Sequence, residues 1–241
     1  MALQLISTIA VISVAFFGEA IFGLGGGFLS IPLLSLFLDV KSAITLVLIF
    51  QFLMGLLILK SYKHINGKIA IPMTFSVIIG TIIGTYMLSQ VDDLFMRKFL
   101  ALTIFAFLTK MIFFKGFNFG KNPRIIWGFA TGLAGGWFQG ITGTSSPVFT
   151  MYLTTATPTK ETMRATLIYI FFISSIIRVV VSFSKGLFTH SIISTAIPVL
   201  PFFFLAIYLG QHMHKKIGEQ YYRYAIYIIL FFSGISLFLK K

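Results

Sequence analysis

Cysteine is absent from the chain, which excludes disulfides, thiolate metal sites and thiol nucleophiles. Charge is scarce as well. Only 10% of the residues are charged and 57% are hydrophobic, whereas an ordinary soluble chain is roughly 25% charged; a soluble globular domain is excluded and an integral membrane protein is expected. Histidine is limited to His64, His190, His212 and His214, all near loops between apolar segments. His212 and His214 are two apart, a spacing that separates them around a helix. No metal site, cofactor or nucleophile triad is expected, and without a Walker-type motif neither is ATP drive within this chain.

Basic residues are what the charged fraction contains: 19 Lys and Arg against 6 acidic residues, a formal charge of +13. They are scattered among loops instead of forming one patch. They read as positive-inside topology signals and contacts to anionic membrane lipids, with no nucleic-acid partner. Met1-Ala2-Leu3-Gln4 lacks the basic n-region of a signal peptide, so the first helix is expected to be retained.

Apolar segments run over 3–38, 42–59, 69–90, 96–114, 125–157, 162–183, 189–211 and 220–239. The runs 3–38 and 125–157 exceed the ~20 residues that one helix needs to cross a membrane, and glycine interrupts each near its middle. In Gly23-Leu24-Gly25-Gly26-Gly27, four of five positions are glycine, each about 1 kcal/mol worse than alanine in a helix. Each long run therefore predicts two pieces, the second pieces being Phe28–Leu38 and Pro147–Thr157. Broken backbone at membrane depth is tolerated only where protein or a water-filled cavity surrounds it, so the breaks are expected to border a site.

The chain also repeats itself. At an offset of 126, Ile71-Pro72 falls on Ile197-Pro198, Gly84 on Gly210 and Arg97 on Arg223; at 117, Gly18 falls on Gly135 and Gly23-x-x-Gly26 on Gly140-x-x-Gly143. Two homologous halves follow, 1–117 and 118–241. Placing the basic loops Lys60/Lys63/Lys68, Lys110/Lys115/Lys121/Arg124 and Lys215/Lys216 in the cytoplasm, with Asp92 and Asp93 outside, gives the halves inverted topology and leaves Lys240 and Lys241 outside. The expected fold is an all-α membrane protein of two inverted repeats. Each has about five helical segments, some 8–10 membrane segments in all, and opens with a glycine-broken helix or hairpin. A prokaryotic cell membrane is the expected location.

The first break offers Gly23, Gly25, Gly26, Gly27 and Ser30, with a new helix near Phe28 directing free N–H groups and its positive dipole end into the break, a geometry that binds anions. The competing reading is close helix packing. The second offers Gln139, Gly140, Thr142, Gly143, Thr144, Ser145 and Ser146, adding hydroxyl and amide donors, with Pro147 suited to a first helical turn. Here the competing reading is that the hydroxyls satisfy their own backbone. Two half-helix N-termini facing each other near the midplane is the construction by which many secondary transporters hold substrate. Gly128, Gly132, Gly136 and Gly140 recur every four residues and, with Gly80 and Gly84, are read as helix-packing positions.

Ionisable residues inside apolar segments are functional candidates. Glu19 can carry a coupling proton or pair with a cation; Arg178 can reach the cavity or snorkel to the interface. Gln51 lies mid-segment as a polar lining residue. Lys160 and Arg164 orient the helix that follows them.

Gly-x-Gly-Gly-Gly followed by proline, a degenerate glycine-rich copy opening the second half, and Tyr62-Lys63-His64-Ile65-Asn66-Gly67-Lys68 together resemble the sulfite exporter TauE/SafE family of membrane permeases. The resemblance covers nearly the whole chain. It implies transport of sulfite, of organosulfonates such as sulfoacetate, or of related anions. The second copy departs from the family's form by carrying Thr142, Thr144 and Ser145 where glycines would stand. The function expected is a secondary transporter, not an enzyme, moving a small inorganic or organic anion by alternating access, with Arg178 supplying positive charge and Glu19 serving coupling or gating to a proton or cation. The alternatives are a passive anion channel, an intramembrane enzyme, or a structural subunit needing a partner.

Overall fold

The computed structural model describes residues 2–22, 26–58, 65–113, 125–144, 146–213 and 230–239. A backbone surrounded by hydrocarbon must satisfy its N–H and C=O groups within its own segment, and the apolar runs accordingly form helices. In chain order these are α1 (Ala2–Phe22), α2 (Gly26–Leu34), α3 (Val40–Ile58), α4 (Gly67–Gln90), α5 (Asp93–Phe113), α6 (Ile125–Thr142), α7 (Ser146–Ala156), α8 (Lys160–Ser184), α9 (His190–Met213) and α10 (Leu230–Leu239). No strand occurs among the described residues. Among the described residues five helices, α1, α3, α4, α8 and α9, are long and apolar enough to cross a membrane.

The two over-long runs divide as expected. The second pieces, α2 with 9 residues and α7 with 11, reach only about half of a ~30 Å hydrocarbon core at ~1.5 Å per residue. Both bounds of α2 differ from the sequence expectation: it begins at Gly26, two residues before Phe28, so Gly26 and Gly27 form its first turn, and it ends at Leu34, four residues before Leu38. The Glu19 carboxylate, at the end of a flexible side chain, lies over Gly26 where a Cβ would be.

Side chains of the connecting segments set three other helix starts, those of α3, α5 and α8. Asp39 Oδ2 accepts the Ser42 N–H at 2.8 Å, Asp92 Oδ1 the Phe95 N–H at 2.6 Å, and Thr159 Oγ1 the Thr162 N–H at 3.1 Å. Each satisfies a first-turn donor that has no acceptor within its own helix.

The chain divides into two compact units. The first comprises Met1–Val47, Val91–Phe113 and Leu187–Lys241. Within it α1 packs along α9 and against α2. Gly210 of α9 stands against the Phe17 carbonyl and Ala20 of α1, and Phe16 meets Phe203 edge-on at 5.1 Å. Asp93 joins the starts of α3 and α5, accepting the Val40 N–H and the Arg97 guanidinium, each at 2.7 Å.

The second unit comprises Leu48–Gln90 and Phe114–Gly186. Here α4 lies along α6 and also touches α8. The α4–α6 seam is made of small residues whose backbones touch, as close helix contacts in membranes require. A Cβ on Gly80 would run into the Leu133 carbonyl, on Gly136 into the Val77 carbonyl, and on Gly140 into Thr81 and Thr85. Gly128 instead faces the Tyr152 ring of α7. Thr81 and Ser174 share a hydrogen bond of 3.1 Å between α4 and α8, and Phe52 of α3 stacks on Phe172 of α8.

Candidate functional site

The second unit holds the candidate site, at the break between α6 and α7. Helix α6 ends because Gly143 adopts φ 76°, the left-handed region that glycine enters without a Cβ clash. Its N–H returns to the Gln139 carbonyl at 3.0 Å, closing the last turn. The Thr142 hydroxyl lies 2.8 Å from the Phe138 carbonyl and 3.0 Å from that of Thr144, and receives the Thr144 N–H at 3.4 Å. That hydroxyl stitches the break to itself.

From the break a polar chain leads to a buried cation. The Gly143 carbonyl accepts a hydrogen bond from Gln51 Nε2 at 3.0 Å, and Gln51 Oε1 accepts one from Arg178 Nη1 at 2.6 Å. Arg178 is 1% exposed, and it is the only fully buried charged side chain among the described residues. Its Nε and Nη2 are enclosed and have no hydrogen-bond partner; the same holds for Thr144 Oγ1. Isolated buried charge costs several kcal/mol even after relaxation, and this guanidinium keeps two donors that no other group satisfies. The Arg178 side chain lies inside the second unit.

Two hydroxyls that the sequence reading passed over, on Thr85 of α4 and Thr166 of α8, are also enclosed without a partner. Thr85 had a signal: Gly80-Thr81 and Gly84-Thr85 recur four residues apart, which sets both threonines beside the glycine seam.

The remaining second-break candidates have other surroundings. Gln139 is buried and gives its carbonyl to Gly143. Gly140 lies in the α4 seam. Ser146 is the first residue of α7, its side chain being outside the described residues, as is the whole of Ser145.

The first unit carries the other break. Glu19, in the last turn of α1, is half-buried; its Oε2 is enclosed without a partner and lies over Gly26. The Ser30 hydroxyl donates to the Gly26 carbonyl, so it is satisfied within α2, and Gly27 is buried beside it. Gly23 and Gly25 lie outside the described residues. So do Lys60, Lys63, Lys115, Lys121, Arg124, His64, His214, Lys215, Lys216, Lys240 and Lys241, with the side chains of Lys110, Lys160 and Arg164. His190 and His212 are exposed on α9. Among the described residues no group of three His, Asp or Glu side chains is placed to hold a metal ion.

A family model described as sulfite exporter TauE/SafE matches residues 8–237, a span that includes both breaks, Gln51 and Arg178. No curated protein and no solved structure matches the chain. Helices able to cross a membrane, and a family of membrane transporters matched over nearly the full length, make this an integral membrane protein of the plasma membrane. The chain belongs to the sulfite exporter TauE/SafE family of membrane anion transporters.

Proposed function

We propose that the protein is a secondary transporter moving a small sulfur oxyanion, sulfite or an organosulfonate, by alternating access, and that it binds the anion at the α6–α7 break. The observation that carries this reading is Arg178: a fully buried guanidinium whose Nε and Nη2 have no partner, tied through Gln51 to the backbone of a broken helix. Charge-assisted hydrogen bonds to an oxyanion are about twice as strong as neutral ones, and arginine makes them in pairs. Thr144 Oγ1 and the first-turn N–H groups of α7 add donors. Glu19, at the other break, serves coupling or gating to a proton or cation.

Packing inside each unit supports the repeat on which the inverted topology rests, 1–117 and 118–241. If α1–α5 correspond to α6–α10, then the α1–α9 contact of the first unit and the α6–α4 contact of the second are the same contact made twice. The matching positions are consistent: Gly210 stands on Ala20 and Gly84 on Trp137, while Gly84 precedes Gly210 by the 126-residue offset and Ala20 precedes Trp137 by the 117-residue offset.

The test is reconstitution of the purified chain alone in liposomes. Sulfite flux that saturates and responds to an imposed ion gradient is expected. Unsaturated flux indifferent to gradients would make the protein a channel, and no protein-dependent anion flux would remove the reading.

A further inference from the structure

We infer that the site selects a singly charged oxyanion over a doubly charged one, and that Gln51 is the positioning residue that aims the arginine fork. This rests on the assignment of Arg178 to the anion site. The guanidinium is planar, with its donors in fixed directions. Nη1, on the Cδ side, is held by Gln51 Oε1 at 2.6 Å. The two nitrogens without partners, Nε and Nη2, lie on one side of the plane's outline and present parallel N–H bonds. That edge takes two oxygens of one carboxylate, sulfonate or sulfite group in bidentate fashion. Gln51 is itself fixed at its other end by the Gly143 carbonyl, 3.0 Å away, so its amide cannot turn without losing one of its two bonds. The direction of the fork is thereby set by the helix break.

Charge and desolvation together give the selectivity. Arg178 is the only fully buried charged side chain among the described residues, and the N-terminus of α7 adds a partial charge of roughly half a unit. The site therefore carries roughly +0.5 with a singly charged ligand and roughly −0.5 with a doubly charged one, an even balance. The doubly charged ion is disfavoured by what it loses on leaving water, a Born cost that grows as the square of the charge and is offset here by a single guanidinium.

The experiment compares methanesulfonate, with one charge, and sulfate, with two, in binding to and uptake by the wild-type protein at neutral pH. Methanesulfonate is expected to bind at least about tenfold more tightly, a discrimination of ~1.4 kcal/mol. Arg178→Lys keeps the charge but loses the fork, and is expected to weaken methanesulfonate binding by about 100-fold, since lysine acts only as a point charge. Gln51→Glu places a carboxylate on Nη1 and is expected to abolish methanesulfonate binding with thermal stability kept or raised, because the buried cation then has its own counter-ion. Sulfate bound as tightly as methanesulfonate by the wild-type protein would overturn the selectivity while leaving anion transport standing. Unchanged affinity in Arg178→Lys or Gln51→Glu would overturn the fork. Absence of any anion flux in the wild type would remove the transporter reading and this inference together.

Discussion

The break between α1 and α2 holds a carboxylate, Glu19, laid over Gly26, whereas the break between α6 and α7 leads through Gly143 and Gln51 to a guanidinium, Arg178. The two breaks share their glycine spacing at an offset of 117 residues, yet their polar groups have opposite sign. Their hydroxyls differ as well. Ser30 is satisfied by its own helix, while Thr144 Oγ1 is enclosed with no partner. One sequence device, glycine interrupting an apolar run, opens the backbone in both places. The surrounding side chains then make the two breaks different: a buried guanidinium stands behind the second, and a carboxylate lies over the first.

The largest expected effect separates the charges. Arg178→Gln removes two hydrogen bonds to a charged group, each worth about 1.5–3 kcal/mol, and should reduce sulfite uptake into liposomes by roughly 100-fold or more. Glu19→Gln should leave saturable counterflow intact and abolish the response of uptake to an imposed pH gradient. Equal loss of counterflow in both variants would erase the distinction between the breaks.

Next in size is the seam that supports the second break. Gly136→Leu drives a side chain into the Val77 backbone, and overpacking of this kind costs about 1–3 kcal/mol, occasionally more; a lower unfolding temperature in detergent is the readout. Gly143→Ala comes third. The φ of 76° costs an L-residue with a side chain roughly 1–2 kcal/mol, so unfolding should shift modestly and anion affinity should fall, because the carbonyl that fixes Gln51 moves with this turn. The smallest effect is the pair of hydroxyls. Thr144→Val should weaken sulfite binding about fivefold, the worth of one ordinary hydrogen bond near 1 kcal/mol, whereas Ser30→Ala should leave affinity unchanged.

Much of the fold was legible in the sequence because membrane helices are written locally. Apolar runs gave the helices within a few residues, and glycine clusters in 3–38 and 125–157 gave the two breaks. The start of α2 lies two residues earlier than the glycine run implies, because glycine, a break signal in a helix interior, forms a first turn here at Gly26 and Gly27. Arg178 stood out as an ionisable residue in an apolar segment, but its partner did not. Gln51 lies 127 residues away, and the Gly143 carbonyl that orients Gln51 lies 92 residues from it. Nor did the composition of the two compact units show, since α9 beside α1 and α6 beside α4 are pairings between residues distant in the chain, and apolar periodicity carries no record of partner choice. The Thr142 hydroxyl, read as a ligand donor or a backbone donor, is engaged with backbone at Phe138 and Thr144.

The central claim is that the anion is held at the second break through Arg178. Calorimetric titration of sulfite into purified wild-type, Arg178→Gln and Glu19→Gln proteins, each checked for helix content and monodispersity, tests it most directly. The account predicts saturable binding by the wild type and by Glu19→Gln and no detectable binding by Arg178→Gln; wild-type affinity in a folded Arg178→Gln protein would contradict it.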